Sequence, residues 1–218
     1  MTIVLYGMDI SPPVRSCQLV LQALNLPYKY ENVNLLQGEH HTEAYLKKNP
    51  QHTVPLLDDD GLCIWDSHAI VCYLVDKYAE SDGLYPKDLA KRALVNQRMF
   101  FEATILYMAL RNISVPYFYN NVSIVPKEKV DNVRAGYEHL ENFIADNSYV
   151  TGDSLTVADF CCAATVSSLA AVLDLDPLRY PKTTQWLARI SELPYYEEAN
   201  GLGAQKYIKI LKPVLTTE

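Results

Sequence analysis

Ser11 stands where a hydroxyl could meet an anion. The run Leu5-Tyr6-Gly7-Met8-Asp9-Ile10-Ser11-Pro12-Pro13-Val14-Arg15 reads as a strand that ends in a polar loop and restarts as a helix behind two prolines. A helix N-terminus carries unpaired backbone N–H groups and the positive end of the dipole, so a thiolate or other anion is favoured beside it. Ser11 followed by Pro12 also fits an ordinary N-cap with proline in the first turn, and the fragment by itself favours that plainer reading. Asp66-Ser67 opens another helical stretch and admits the same two readings, anion binding or capping. Tyr107, Leu110, Arg111, Ser114, Val115 and Phe118, with Tyr119 beside them, recur at i, i+3, i+4, i+7 spacing, which suits a pocket wall and a plain core equally. His40, His41 and His52 lie in polar loops, where a histidine is ordinarily a solvated residue, and His139 falls on a helix surface.

Cys17, Cys63, Cys72, Cys161 and Cys162 are an odd set without CxxC spacing. Neither a disulfide framework nor a zinc site is indicated, and no metal is expected. Adjacent Cys161 and Cys162 in a helix would point about 100° apart.

The elements that must position these residues fall into two groups. Thr2 to Tyr6 reads as a strand, Val14 to Leu24 as a helix, Tyr28 to Asn34 as a strand and Thr42 to Lys48 as a short helix. Two apolar runs, 54–57 and 62–65, flank Asp58-Asp59-Asp60-Gly61, whose Asp-Gly is a hairpin signal, and a helix follows from Ser67 to Tyr78. The order βαβ then ββα predicts a thioredoxin-like α/β layer over residues 1–80. A linker spans 81–88, and 89–218 reads as an all-helical domain with helices over Leu89–Tyr119, Pro126–Asp146, Thr156–Leu173 and Pro181–Leu193, then shorter pieces. Thr156 with Asp159 forms a capping box, with Leu155 against Phe160 as a hydrophobic staple.

Composition narrows the function classes. The chain has 218 residues, 49% hydrophobic and 21% charged, which is ordinary for a soluble globular protein. A formal net charge of −7 and the lack of a basic stripe argue against nucleic acid. No apolar run reaches the length of a membrane span and the N-terminus carries no targeting signal, so the cytoplasm is the expected location.

Ser11-Pro12-Pro13, Asn49-Pro50-Gln51-His52-Thr53-Val54-Pro55-Leu56-Leu57, Asp66-Ser67-His68-Ala69-Ile70 and the Thr156–Asp159 cap together resemble a cytosolic glutathione transferase along the whole chain. Ser11 with Gly38-Glu39-His40-His41 and Gln51-His52-Thr53-Val54-Pro55 is most similar to the insect epsilon class, close to delta. The resemblance implies that Ser11 stabilises the glutathione thiolate and that Val54, before a cis Pro55 and beside Thr53, pairs with the cysteinyl backbone. It further implies that Asp66 and Ser67, adjoined by His68, take the γ-glutamyl end, and that His40 and His52 face the glycyl carboxylate. A hydrophobic electrophile would lie against Tyr107, Leu110, Arg111, Ser114, Val115, Phe118 and Tyr119, with Leu202 and Tyr207 from the C-terminus; Arg111 would also reach glutathione. Glutathione as co-substrate, no metal, a homodimer, and detoxification with dehydrochlorinase or peroxidase side activity complete the implication. The competing reading is a non-catalytic binding or scaffold protein on the same fold. Where thioredoxins carry CxxC, this chain has Ser11-Pro12-Pro13-Val14, so dithiol redox chemistry is not expected.

Overall fold

Strand β1 (Ile3–Gly7) alternates buried and half-buried residues, the signature of a strand covered on both faces. Ile3 and Leu5 join the larger core, while Tyr6 packs with Val33, Tyr45 and Leu56 on the other face. The computed structural model describes residues 2–218. After β1 the chain runs through α1 (Pro12–Ala23), β2 (Lys29–Asn32), a short α2 (Glu43–Lys48), β3 (Leu56–Asp59), β4 (Leu62–Trp65) and α3 (Ser67–Tyr78). The sheet order is β2-β1-β3-β4, with β1 and β2 parallel and the other pairs antiparallel. The β3–β4 hairpin closes at Asp60 and Gly61, both at positive φ (50° and 93°), which is what a two-residue primed turn requires.

The helical part comprises α4 (Leu89–Phe101), a wide π-turn (Glu102–Leu106), α5 (Tyr107–Asn120), α6 (Lys127–Ile144), α7 (Val157–Leu169), α8 (Pro181–Ser191), a second π-turn (Glu197–Gly201) and α9 (Leu202–Leu211). Two expectations are corrected. The single helix read over 89–119 is interrupted by the first π-turn, and the helix read to Leu173 ends at Leu169. Strand pairing also does not stop at α3, because β5 (Ile124–Val125) and β6 (Thr216–Thr217) form a two-residue parallel ladder that ties the C-terminal tail beside α6.

Helix α7 is buried on nearly every side and is the post around which the other helices pack. Its start is held by the fully buried Asp159 carboxylate, which accepts from the Thr156 N–H (2.8 Å) and hydroxyl (3.0 Å), the Val150 N–H (2.9 Å) and the Trp186 indole (2.9 Å). The expected capping box is present. Thr156→Ala should cost about 1 kcal/mol, read from the urea midpoint, since the backbone half of the box survives the substitution.

Helix α1 joins the two parts, packing on α3 and on α7. Arg15, in its first turn and 1% exposed, crosses the seam. Its guanidinium donates to the Asn200 carbonyl (3.3 Å) and side chain, to Ser167 Oγ (3.3 Å), to the Ala164 carbonyl (3.2 Å) and to Ser168 Oγ. Gly203 of α9 must be glycine for the same approach, because a Cβ there would strike the Asp9 carbonyl and lie 2.6 Å from Arg15 Cδ.

Candidate active site

Strand register brings the candidate residues to one end of the sheet. Tyr6 pairs with Leu56 and Leu56 with Trp65, so the exit of β1, the entry of β3 and the exit of β4 lie side by side. The exit of β1 leads to Ser11, the entry of β3 follows His52-Thr53-Val54-Pro55, and the exit of β4 leads to Asp66-Ser67. The parallel β2 ends opposite Gly7, which places the loop carrying His40 and His41 at the same edge.

Ser11 is the N-cap residue of α1 with extended backbone (φ −78°, ψ 118°), yet its hydroxyl makes no capping hydrogen bond. Pro12 and Pro13 carry no N–H, and the N–H groups of Val14 and Arg15 both donate to the Ser11 carbonyl at 3.1 Å. The expectation of several free backbone donors at this terminus is therefore corrected. The hydroxyl itself is the donor left facing the cavity, with the helix dipole behind it. Gly7 keeps this junction tight, since a Cβ there would lie 2.5 Å from Val14 Cγ1.

The histidine loops are built by their own polar side chains. Asn34 accepts from the N–H groups of Leu36 (3.1 Å) and Gln37 (3.2 Å), and its own N–H donates to Glu39 (2.6 Å). Gly38, at φ 75°, turns the chain into the one-turn 3₁₀ segment Glu39–His41. Buried Asn49 donates to the Thr53 carbonyl (2.8 Å) and hydroxyl (3.2 Å), and accepts from the Gln51 N–H (3.0 Å). That clamp holds His52 at φ 47°, a region that non-glycine residues enter at a cost. His40 is buried, not solvated, and burial with the neighbouring His41 and His52 lowers its pKa. His41, assigned to the surface from sequence, is exposed but lines the cavity, its ring 3.9 Å from that of His40 and 4.7 Å from that of His52.

A cavity of about 400 Å³ gathers Ser11, His40, His52, Thr53 and Val54 on one wall. Tyr107, Leu110, Arg111, Ser114, Val115, Phe118 and Tyr119 from α5, with Tyr207 from α9, form the other. The aromatic wall is braced by Phe118 against Tyr207, edge to face at 6.2 Å between centroids. Burial pushes the Tyr107 phenol up to about 12, so it stays a neutral donor at physiological pH. The expectation for Leu202 is corrected: it begins α9 on the outer side, 51% exposed, and does not line the cavity. Pro55, in a cis peptide with Val54, is buried beneath the rim and also does not line it.

Asp66, Ser67 and His68 lie at the α3 N-terminus, outside the cavity proper. Asp66 caps α3, accepting from the N–H groups of His68 (2.9 Å) and Ala69 (3.3 Å), and its bond to His68 holds its carboxyl below the usual range. Ser67 is buried and His68 half-buried. Both ring nitrogens of His68 are engaged, by Asp66 at 3.3 Å and by the buried Glu102 at 2.7 Å, so His68 positions Asp66 and has no free nitrogen for a ligand. Glu102, which no sequence signal marked, reaches from the π-turn and accepts from Thr165 on its other oxygen. Burial opposes charge on His68, but the bonds to Asp66 and Glu102 prevail and raise its pKa to about 9. A pKa raised on folding contributes stability that is full below about 6.5 and fades as pH rises through about 9. The difference in unfolding free energy between the parent chain and His68→Gln should therefore shrink over that interval. A difference that stays constant from pH 6 to 9.5 would refute the protonated bridge.

Comparison with known proteins fits this geometry. Residues 5–82 match the family described as glutathione S-transferase, N-terminal domain, and residues 99–194 its C-terminal domain. Glutathione S-transferase 1 of Manduca sexta is 43% identical over 205 residues, covering 93% of this chain and 94% of that protein. Among solved structures, an epsilon-class glutathione S-transferase from the housefly, Musca domestica, superposes with a TM-score of 0.97 at 51% identity, with 100% of both chains covered. A glutathione transferase homologue from Drosophila mojavensis with bound glutathione has a TM-score of 0.97 at 47% identity, covering 100% of this chain and 99% of that one. The chain belongs to the glutathione S-transferase family. Its fold is the thioredoxin-like layer plus helical domain of that family, its likeness runs to the insect epsilon class, and it is a transferase enzyme. Among the described residues, no helix is long and apolar enough to cross a membrane.

Proposed function

We propose that the Ser11 hydroxyl donates to the sulfur of bound glutathione and holds it as the thiolate, which then attacks a hydrophobic electrophile lying against α5. The observation that carries this reading is the uncapped Ser11 hydroxyl in a cavity whose far wall is apolar and aromatic. A free thiol titrates near 8.5, and each unit of depression is worth about 1.4 kcal/mol of thiolate preference. In the reaction the thiol proton leaves to solvent, the thiolate forms the C–S bond, and the leaving group departs with its bonding electrons.

Glutathione would lie along the sheet edge, its cysteinyl backbone beside Val54 and its glycyl carboxylate toward His40 and His52. Its γ-glutamyl end would reach Asp66 and Ser67, and Arg111 would approach it from the opposite wall. Residues 1–80 form the glutathione-binding domain, 81–88 the linker, and 89–218 the domain of the electrophile pocket. The protein works as a cytoplasmic homodimer in detoxification, and the same thiolate supports dehydrochlorination or peroxide reduction. A panel of activated aryl halides, organochlorines and hydroperoxides tests this. Turnover that saturates with glutathione and favours apolar acceptors is expected; retention on a glutathione column without turnover of any acceptor would overturn it and favour the scaffold reading.

A further inference from the structure

We propose that His40, His41 and His52 form a site for one divalent transition-metal ion of the borderline class: Zn²⁺, Co²⁺, Ni²⁺ or Cu²⁺. One ring nitrogen from each of the three histidines lies within 4.8 Å of the other two. A tetrahedral zinc site with bonds of about 2.0–2.1 Å sets its nitrogens roughly 3.3 Å apart. The remaining gap is small, and the side chains that must close it are free to turn, since His41 and His52 are exposed. His40 is the fixed member, 5% exposed, with its buried Nδ1 lacking any hydrogen-bond partner. A buried polar atom with no partner among the described residues is an exception in folded proteins, and ligation through this nitrogen would supply the partner it lacks.

Ligand type and surroundings agree on the class of ion. Three imidazoles with no carboxylate or thiolate among them suit zinc, copper and nickel and do not suit magnesium or calcium. All three histidines line the large cavity, so the coordination positions they leave open face its interior, as in three-histidine sites that keep a place for water or another ligand. The two loops that carry them are held independently of the ion, by Asn34 and Gly38 on one side and by Asn49 on the other, so the imidazoles are gathered before any ion arrives.

The test uses the untagged full chain without glutathione, titrated with Co²⁺ by visible absorption and with Zn²⁺ by calorimetry. One ion per chain is expected, with a tetrahedral or five-coordinate cobalt spectrum lacking a thiolate charge-transfer band. His41→Ala and His52→Asn should each weaken binding by more than about tenfold, the loss that outer-sphere changes alone already produce. His139→Ala, which removes the exposed histidine of α6, should leave it unchanged. No saturable binding to the parent chain, a thiolate band, or equal loss in all three variants would overturn the site. Because glutathione is absent from every titration, these outcomes are separate from the fate of the proposed transferase mechanism.

Discussion

Replacing Ser11 with alanine is expected to lower kcat/KM by about 100- to 1000-fold, the usual loss when one preorganised donor to a reacting anion is removed. The apparent pKa of the bound thiol, read from the pH–rate profile or from thiolate absorbance, should climb back toward about 8.5. Two observations make this variant a clean probe. The hydroxyl makes no capping bond, so the cost of about 1 kcal/mol usual for losing an N-cap does not apply, and the urea midpoint should stay where it is. The first turn of α1 also offers no substitute donor, because its two prolines lack N–H groups and the next two N–H groups are committed to the Ser11 carbonyl. Glutathione affinity should change little, as its remaining contacts are proposed to lie with other residues. An unchanged pH–rate profile would remove Ser11 from the mechanism.

Arg15→Ala should show the largest loss of stability, on the order of 3–5 kcal/mol by urea unfolding. Every acceptor around this guanidinium is neutral: carbonyls of Ala164 and Asn200, the Asn200 side chain, and the hydroxyls of Ser167 and Ser168. Burial pushes its pKa down to about 10, against the opposing influence of Tyr196, Tyr207 and Asp9, so it remains charged at physiological pH. Truncation removes the stem that fills the seam and leaves fully buried Asn200 and Ser168 without their donor. Arg15→Lys keeps the charge but replaces a planar fork of five donors with three on one atom, and should recover only part of the loss. A deficit below about 1 kcal/mol for the alanine variant would mean that apolar packing of α1 on α7 holds the seam alone.

Local rules made much of the fold legible. Asp60-Gly61 marked the hairpin because both positions need positive φ, and the α3 helix over Ser67–Tyr78 was bounded by its cap and by the loop beyond Tyr78. Ser11-Pro12-Pro13 marked the strand-to-helix junction for similar reasons. Spacing alone leaves the α5 stripe open between pocket wall and plain core, and Leu110 and Ser114 are in fact buried and also border the cavity. What stayed hidden depends on contacts distant in sequence. Glu102 looks like any surface glutamate until His68 and Thr165 close on it. His41 gains its neighbours only when the loops at 38–41 and 49–53 meet at one sheet edge. Leu202 is assigned to the pocket by resemblance alone, and no local signal shows that it opens α9 on the exposed side, directly after the second π-turn.

The wide turn at Glu102–Leu106 lets α4 and α5 share one helical phase despite a surplus residue between them. An i→i+5 turn takes up one residue more than its α-helical counterpart within the same sweep, so the residues beyond it keep the facing they would have in an unbroken helix. Tyr107, Arg111 and Phe118 therefore stay turned toward the cavity while the surplus residue is absorbed upstream, where Glu102 reaches His68 and Thr165. The insertion alters the path of the backbone locally and leaves the recognition face beyond it undisturbed.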